Sequence, residues 1–238
     1  MGASQTLGAG VAVAGDASLR RRVASAAAAL EKLYGHEERG ADEDILDSLI
    51  GCVLSQNTTD VNSGRAWETL KKLYPTWQGV ARAKAHSIEA AIRVAGLAPT
   101  RSRRIKDILA QVKKTSGGYD LEFLREASDD EAMEYLASLD GVGKKTAAVV
   151  LLFAMGRDVF PVDTHVHRIS QRLGFVREGV SRDECYEEMK KLVAPGKALS
   201  FHLNLIRFGK ERCHKRRPEC GGCVFRARCV YVGRRVND

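Results

Sequence analysis

Three short stretches of this 238-residue chain carry residue types that could do chemistry. In LDGVGKKTA, residues 139–147, Gly141 and Gly143 flank one apolar residue, and Lys144 and Lys145 follow where a helix is expected to begin. Glycines at this spacing permit positive φ and close backbone approach. Their amides can point outward as an anion nest at the positive end of a helix, where a phosphate fits without any side chain. Lys144 would add charge to that phosphate site. An ammonium group is nevertheless misplaced there, because the dipole disfavours it. A second lysine alongside, and burial in a cleft, would act in the same direction. A neutral amine is a nucleophile toward an electrophilic carbon and can form a Schiff base. One chemical lysine and one phosphate-binding lysine would explain the pair. Solvated lysines on a plain helical hairpin are the other reading.

Eighteen residues beyond Lys145 comes VDTHVHR, with Asp163. This aspartate could cap the following helix, or it could be a carboxylate facing the lysine across a cleft, stabilising positive charge or activating water. Spacing leaves both open. His165 and His167 in the same stretch read as structural. Near the C-terminus, Cys213, Cys220, Cys223 and Cys229 form C-x6-C-x2-C-x5-C within 17 residues. With no secretory signal in view, one metal site is a better account than a disulfide framework. Zinc and an iron–sulfur cluster both take four thiolates, and the spacing leaves the two open. Cys52 and Cys185 lie far off in helical patterns and read as small buried apolar residues.

Charge singles out the same region. Residues 197–238 hold 11 Lys/Arg against 3 Asp/Glu, while the remainder of the chain holds 27 of each. The whole excess of +8 therefore sits in the last 42 residues. A basic end on a neutral body suggests a polyanionic partner, nucleic acid first.

The elements that must position these residues are helical nearly throughout. Ala17–Gly35 is alanine-rich with a glycine stop, and DEDILDSLIGCVLSQ presents Ile45, Leu49 and Val53 on one face. Further helical stretches cover Asp60–Leu73, Ser87–Ala95 and Arg101–Thr115, and capping boxes stand at Ser128/Glu131 and Ser181/Glu184. Period-two alternation is absent, so the fold class expected is all-α. A composition boundary falls near Gly156–Asp158. Residues 1–16 read as a disordered lead-in rather than a signal peptide. No apolar run reaches the roughly 20 residues of a membrane span, so no membrane contact is expected; a monomer is the default expectation. The expected compartment is cytoplasmic, nucleoid-associated if the source is bacterial or archaeal.

LDGVGKKTAAVVL, FPVDTHVHRI and the four-cysteine pattern, together with LSQNTTD at Leu54–Asp60, resemble the endonuclease III branch of the helix-hairpin-helix (HhH-GPD) DNA glycosylases. The resemblance runs from about Asp44 to Cys229. It implies a two-domain all-α fold, with a six-helix barrel over 39–157 and a [4Fe–4S] cluster domain from 17–38 plus 158–238. The active site would lie in the groove between the two domains. By the same resemblance, Lys145 matches the lysine that attacks C1′ of the damaged nucleotide, and Asp163 matches the essential aspartate. Cys213, Cys220, Cys223 and Cys229 match the cluster ligands. The target base must leave the stack. Gln56 matches a residue that fills the gap, and Leu97 aligns with the wedge on the opposite strand. Ala98 and Pro99 depart from the aromatic and asparagine that family members often carry.

The implied partner is double-stranded DNA containing damaged bases or abasic sites. Gly141, Gly143 and Lys144 would contact it at the hairpin, and Lys215, Arg216 and Arg217 would do so on the cysteine loop. The implied reaction is excision of an oxidised pyrimidine followed by β-elimination through a lysine Schiff base. A uracil/thymine-mismatch or 5-methylcytosine glycosylase of the same fold is an alternative, since LSQNTTD also resembles the plant 5-methylcytosine enzymes. A non-catalytic structure-specific DNA-binding protein is another.

Overall fold

The computed structural model describes residues 9–40 and 43–236, which fold into helices joined by short connections, with no strand among them. Among the described residues twelve α-helices follow in chain order: α1 Ala9–Tyr34, α2 Ile45–Ser55, α3 Asp60–Leu73, α4 Trp77–Arg82, α5 Ala85–Ile92, α6 Ala98–Ser116, α7 Asp129–Ser138, α8 Lys144–Phe153, α9 Thr164–Arg172, α10 Arg182–Leu192, α11 Ala198–Glu211 and α12 Val230–Val236. The expected all-α class is what the chain adopts.

Side-chain caps set many of the boundaries. Asp44, Thr59, Thr76 and Asp163 each accept a bond from a backbone N–H in the first turn of the helix that follows. Ser128 and Ser181 form complete capping boxes with Glu131 and Glu184. At α6 the expected start at Arg101 moves back to Ala98, because Pro99 in the first turn lacks only a donor that would be orphaned anyway. The short α4 was not foreseen, since Gly79 lies inside it. It forms because Trp77 is buried and donates its indole N–H to Asp47 Oδ1 at 2.7 Å. The expected disordered lead-in over 1–16 is corrected in its described part: 9–16 belong to α1, and 1–8 lie outside the described residues.

The chain divides into two compact units, one of residues 40–159 and one of the residues up to 39 with those from 160 onward. In the 40–159 unit, α2 packs on α3, α6 and α8, α5 packs on α3 and α6, and α7 packs on α8. Its core includes Leu46, Leu49, Ile50 and Val53 of α2 with Ile105, Ile108 and Leu109 of α6 and Val150 and Leu151 of α8. In the other unit, α11 packs on α1 and α9, and α10 packs on the same two helices. Phe160 stacks on Phe201, and Phe208 meets Phe225 edge-on at 5.3 Å, which seats the cysteine loop on α11. No described helix is long and apolar enough to cross a membrane.

Candidate active site and nucleic-acid interface

In the 40–159 unit, α7 and α8 are joined by Leu139–Gly143. Leu139 caps the end of α7, and the buried Val142 donates its N–H to Leu139 O at 3.0 Å. Gly141 takes φ +68, the left-handed value expected of a hairpin glycine. Gly143 does not: at φ −92 and ψ 172 it is extended, and it serves as the N-cap residue of α8. What distinguishes Gly143 is space, since a Cβ there would meet nothing within 4 Å. No side chain caps α8, which leaves the positive end of the helix open to an anion.

Lys144 and Lys145 are the first two residues of α8. Lys144 is half-buried, whereas Lys145 is exposed. The expected burial of the reactive lysine is therefore corrected: its position at the helix start holds, but its side chain stands in solvent. Its charge still reaches the Cys52 thiol on α2, where it opposes the burial that pushes that thiol up to about 11. Cys52 is only half-buried, which corrects the expectation of a buried apolar residue, although its thiol is still held in the protonated form. Cys185 behaves as the apolar residue expected, fully buried and pushed up to about 12 by desolvation.

Gln56 follows the last residue of α2, and both ends of its side-chain amide are engaged. Nε2 donates to Gly141 O at 3.3 Å, and Oε1 accepts from Arg104 Nη1 at 2.9 Å. Arg104 also lies 3.7 Å from Asp140 Oδ2 through Nε. The structure therefore joins Gln56 to the hairpin directly and through one arginine. Leu97, the other gap-filling candidate, is 61% exposed and sits in the left-handed region, φ 50 and ψ 29, just before α6. Sequence reasoning passed over Arg101 and Arg104. The run TRSRR offered a signal: basic residues at i and i+3 of a helix share a face, so both could point toward one neighbour. Arg101 is 2% exposed and donates to the carbonyls of Ala95, Gly96 and Gln56.

In the other unit, Asp163 is the N-cap of α9, its Oδ1 accepting from Val166 N–H at 2.7 Å. Asp163 is half-buried, and the cap engages only Oδ1 of its carboxylate. Burial holds His165 below the ordinary histidine range, and the Asp163 charge opposes that shift. The ring accepts from Arg168 Nη2 at 3.2 Å and lies against Gly209, where a Cβ would come within 2.4 Å of Nδ1. His167 Nε2 lies 2.8 Å from Val180 O. Both rings are thus held by contacts within this unit.

The thiols of Cys213, Cys220, Cys223 and Cys229 line one cavity with Ile169, Leu173, Phe208 and Phe225. Among the described residues no three His, Cys, Asp or Glu side chains converge on a single ion position. Two N–H groups point at the sulfurs: Arg172 Nη1 lies 3.2 Å from Cys213 Sγ, and Phe225 N lies 3.4 Å from Cys223 Sγ. Burial raises the Cys223 thiol, and the three neighbouring thiols push it the same way. Arg168 and Arg172 of α9 brace the loop by donating to the carbonyls of Cys213, His214 and Lys215. Arg212 closes the base of the loop on Glu219 at 2.8 Å. Lys215, Arg216 and Arg217 are exposed on this braced loop, Arg217 at φ 50. A braced cationic loop loses less entropy on meeting phosphates than a loose one would.

Comparison with known proteins gives a consistent family. Residues 50–195 match the model for the HhH-GPD superfamily of base excision DNA repair proteins. The putative DNA glycosylase At3g47830 of Arabidopsis thaliana is 41% identical over 165 residues, which cover 69% of this chain and 56% of the relative. The endonuclease III of Sulfolobus acidocaldarius is 32% identical over 196 residues, covering 81% of this chain and 84% of that one. Among solved structures, an endonuclease III in a non-covalent complex with DNA superposes with a TM-score of 0.78 at 27% identity, covering 92% of this chain and 99% of the other.

Proposed function

The chain belongs to the HhH-GPD superfamily of base excision DNA repair proteins as an endonuclease III-like DNA glycosylase, and we propose that it joins excision of a damaged pyrimidine to cleavage of the resulting abasic site. The observation that carries this reading is Lys145. Its exposed amine stands in the first turn of a helix that no side chain caps, directly behind the open Gly143. A phosphate bound at that helix start would bring the adjoining sugar within reach of the amine.

In the proposed reaction the Lys145 nitrogen, as the neutral amine, bonds to C1′ and gives up a proton, while the base departs with the glycosidic electron pair and takes a proton up. Opening of the sugar gives a Schiff base. Loss of a C2′ proton then expels the 3′ phosphate, and water releases the lysine. Asp163 supplies negative charge for the cationic sugar, using the oxygen that its helix cap leaves available. Gln56 and Leu97 occupy the gap left by the extruded nucleotide. Gly141, Gly143 and Lys144 hold phosphate at the hairpin, and Lys215, Arg216 and Arg217 hold it on the cysteine loop. The protein works as a monomer on duplex DNA.

The same reading assigns Cys213, Cys220, Cys223 and Cys229 to a [4Fe–4S] cluster. Four cysteines lining one largely apolar cavity could ligate such a cluster. Two N–H donors to sulfur suit thiolates. When bound, the cluster would supply a rigid staple for the basic loop.

Duplexes carrying thymine glycol, G·U, G·T or 5-methylcytosine test the substrate class. Release of thymine glycol with strand cleavage is the expected result. Preference for a mismatch or for 5-methylcytosine would move the protein to the alternative glycosylase class, and absence of any base release would leave only a DNA-binding protein.

A further inference from the structure

Two loops of the 40–159 unit contain a non-glycine residue in the left-handed region: Asn57 at φ 54, next to Gln56, and Leu97 at φ 50. Asparagine tolerates this region, but at Leu97 it costs about 1 kcal/mol or more and persists only where the surroundings hold it. One buried side chain touches both loops. Arg101 Nη1 donates to the carbonyls of Ala95 and Gly96, immediately before Leu97, and Nη2 donates to the carbonyl of Gln56, immediately before Asn57. The loops are 40 residues apart in sequence, and Arg101 is 2% exposed. Its planar fork presents donors in a fixed geometry, so it sets the separation and orientation of the carbonyls it meets.

We infer that Arg101 is the positioning residue that locks the Gln56 and Leu97 loops in one register, so that both side chains enter a duplex as a single unit. This rests on the proposed function for the roles of Gln56 and Leu97. The link between the loops can be measured without DNA. A lysine at 101 keeps the charge but has a single nitrogen, which cannot reproduce a fork that reaches three carbonyls.

The test has two arms, both on the full chain. In hydrogen exchange, Arg101→Lys should release the amides of 57–58 and 96–98 together, by about tenfold, with those of 105–112 unchanged. Release in one loop alone, or spread through α6, overturns the inference. In the second arm, affinity for a duplex bearing a tetrahydrofuran abasic-site analogue is measured by anisotropy for Gln56→Ala, Leu97→Ala and the double variant. When two side chains act as a unit, losing either forfeits most of the effect, so the double variant should bind about as weakly as each single one. In the Arg101→Lys background the two losses should instead multiply, a departure of about fivefold or more. Losses that multiply already with Arg101 present, or stay non-additive without it, contradict the inference. If the unaltered protein ignores the duplex altogether, the proposed function falls along with this second arm, and exchange alone decides whether Arg101 ties the loops.

Discussion

Arg104 lies across Gly141 so closely that a Cβ on the glycine would stand 1.7 Å from Arg104 Nε. The same arginine donates to Gln56 Oε1, and Gln56 Nε2 donates back to Gly141 O. A hairpin glycine, a helix-borne arginine and Gln56 therefore form one closed contact. The two hairpin glycines differ in consequence. Gly141→Ala meets both the Arg104 side chain and a positive φ, and should cost about 2 kcal/mol or more of stability. Adding Arg104→Ala should recover the steric part. Gly143→Ala should cost at most about 1 kcal/mol yet weaken binding to duplex DNA about tenfold, because its methyl would intrude where an incoming phosphate needs the backbone. Thermal melts and anisotropy on the three variants separate these outcomes. Equal DNA affinity in Gly143→Ala would remove the phosphate from the hairpin.

Asp163 serves as a cap whatever else it does. Asparagine caps as well as aspartate, so Asp163→Asn should keep α9 within a few tenths of a kcal/mol, whereas Asp163→Ala should lose about 1 kcal/mol. If the carboxylate also stabilises the cationic sugar, Asp163→Asn should cut single-turnover base release by about 100-fold or more. An asparagine variant as active as the parent would reduce Asp163 to its structural role.

Arg216 is exposed on a loop braced from α9 and has no part in the proposed chemistry. Arg216→Ala should weaken binding to every duplex alike and reduce the slope of log affinity against log salt by about 0.9. Single-turnover rates at saturating DNA should be unchanged. A loss of rate there would place the cysteine loop in the chemistry.

Cys52 and Cys185 have thiols raised to about 11 and about 12 by burial. Thiolate is the reactive form, and a raised thiol stays protonated until pH approaches its own value. At pH 8 only about one Cys52 in a thousand would be thiolate. Iodoacetamide at pH 8 should therefore leave both peptides unmodified in the folded protein and label them once it is denatured. Rapid labelling of Cys52 in the native state would contradict its assigned environment.

The fold was legible where one local rule decided the outcome. The capping boxes at Ser128 and Ser181 stand as read, and Leu139–Gly143 is the hairpin its glycines indicated. Asp163 could be read only as two alternatives, since a cap and a chemical carboxylate call for the same residue. What sequence could not show depends on contacts between distant segments. Arg101 entered the sequence reading only as the first residue of a helix, and only packing of α6 against the turns at 56 and 96 buries it. Likewise α4 forms around Trp77 through Asp47, a partner 30 residues away. The expectation that failed at Lys145 was of the same kind, because burial is set by neighbours and not by the helix that carries the residue.

The central claim is a covalent bond between Lys145 and DNA, and sodium borohydride reports it directly. Incubated with a duplex containing an abasic site and then reduced, the protein should become joined to the DNA, with the adduct mapping by mass to the peptide carrying Lys145. Lys145→Ala should bind the same duplex and form no adduct. A protein that binds abasic DNA but is never trapped, or one trapped equally well with alanine at 145, would contradict the account.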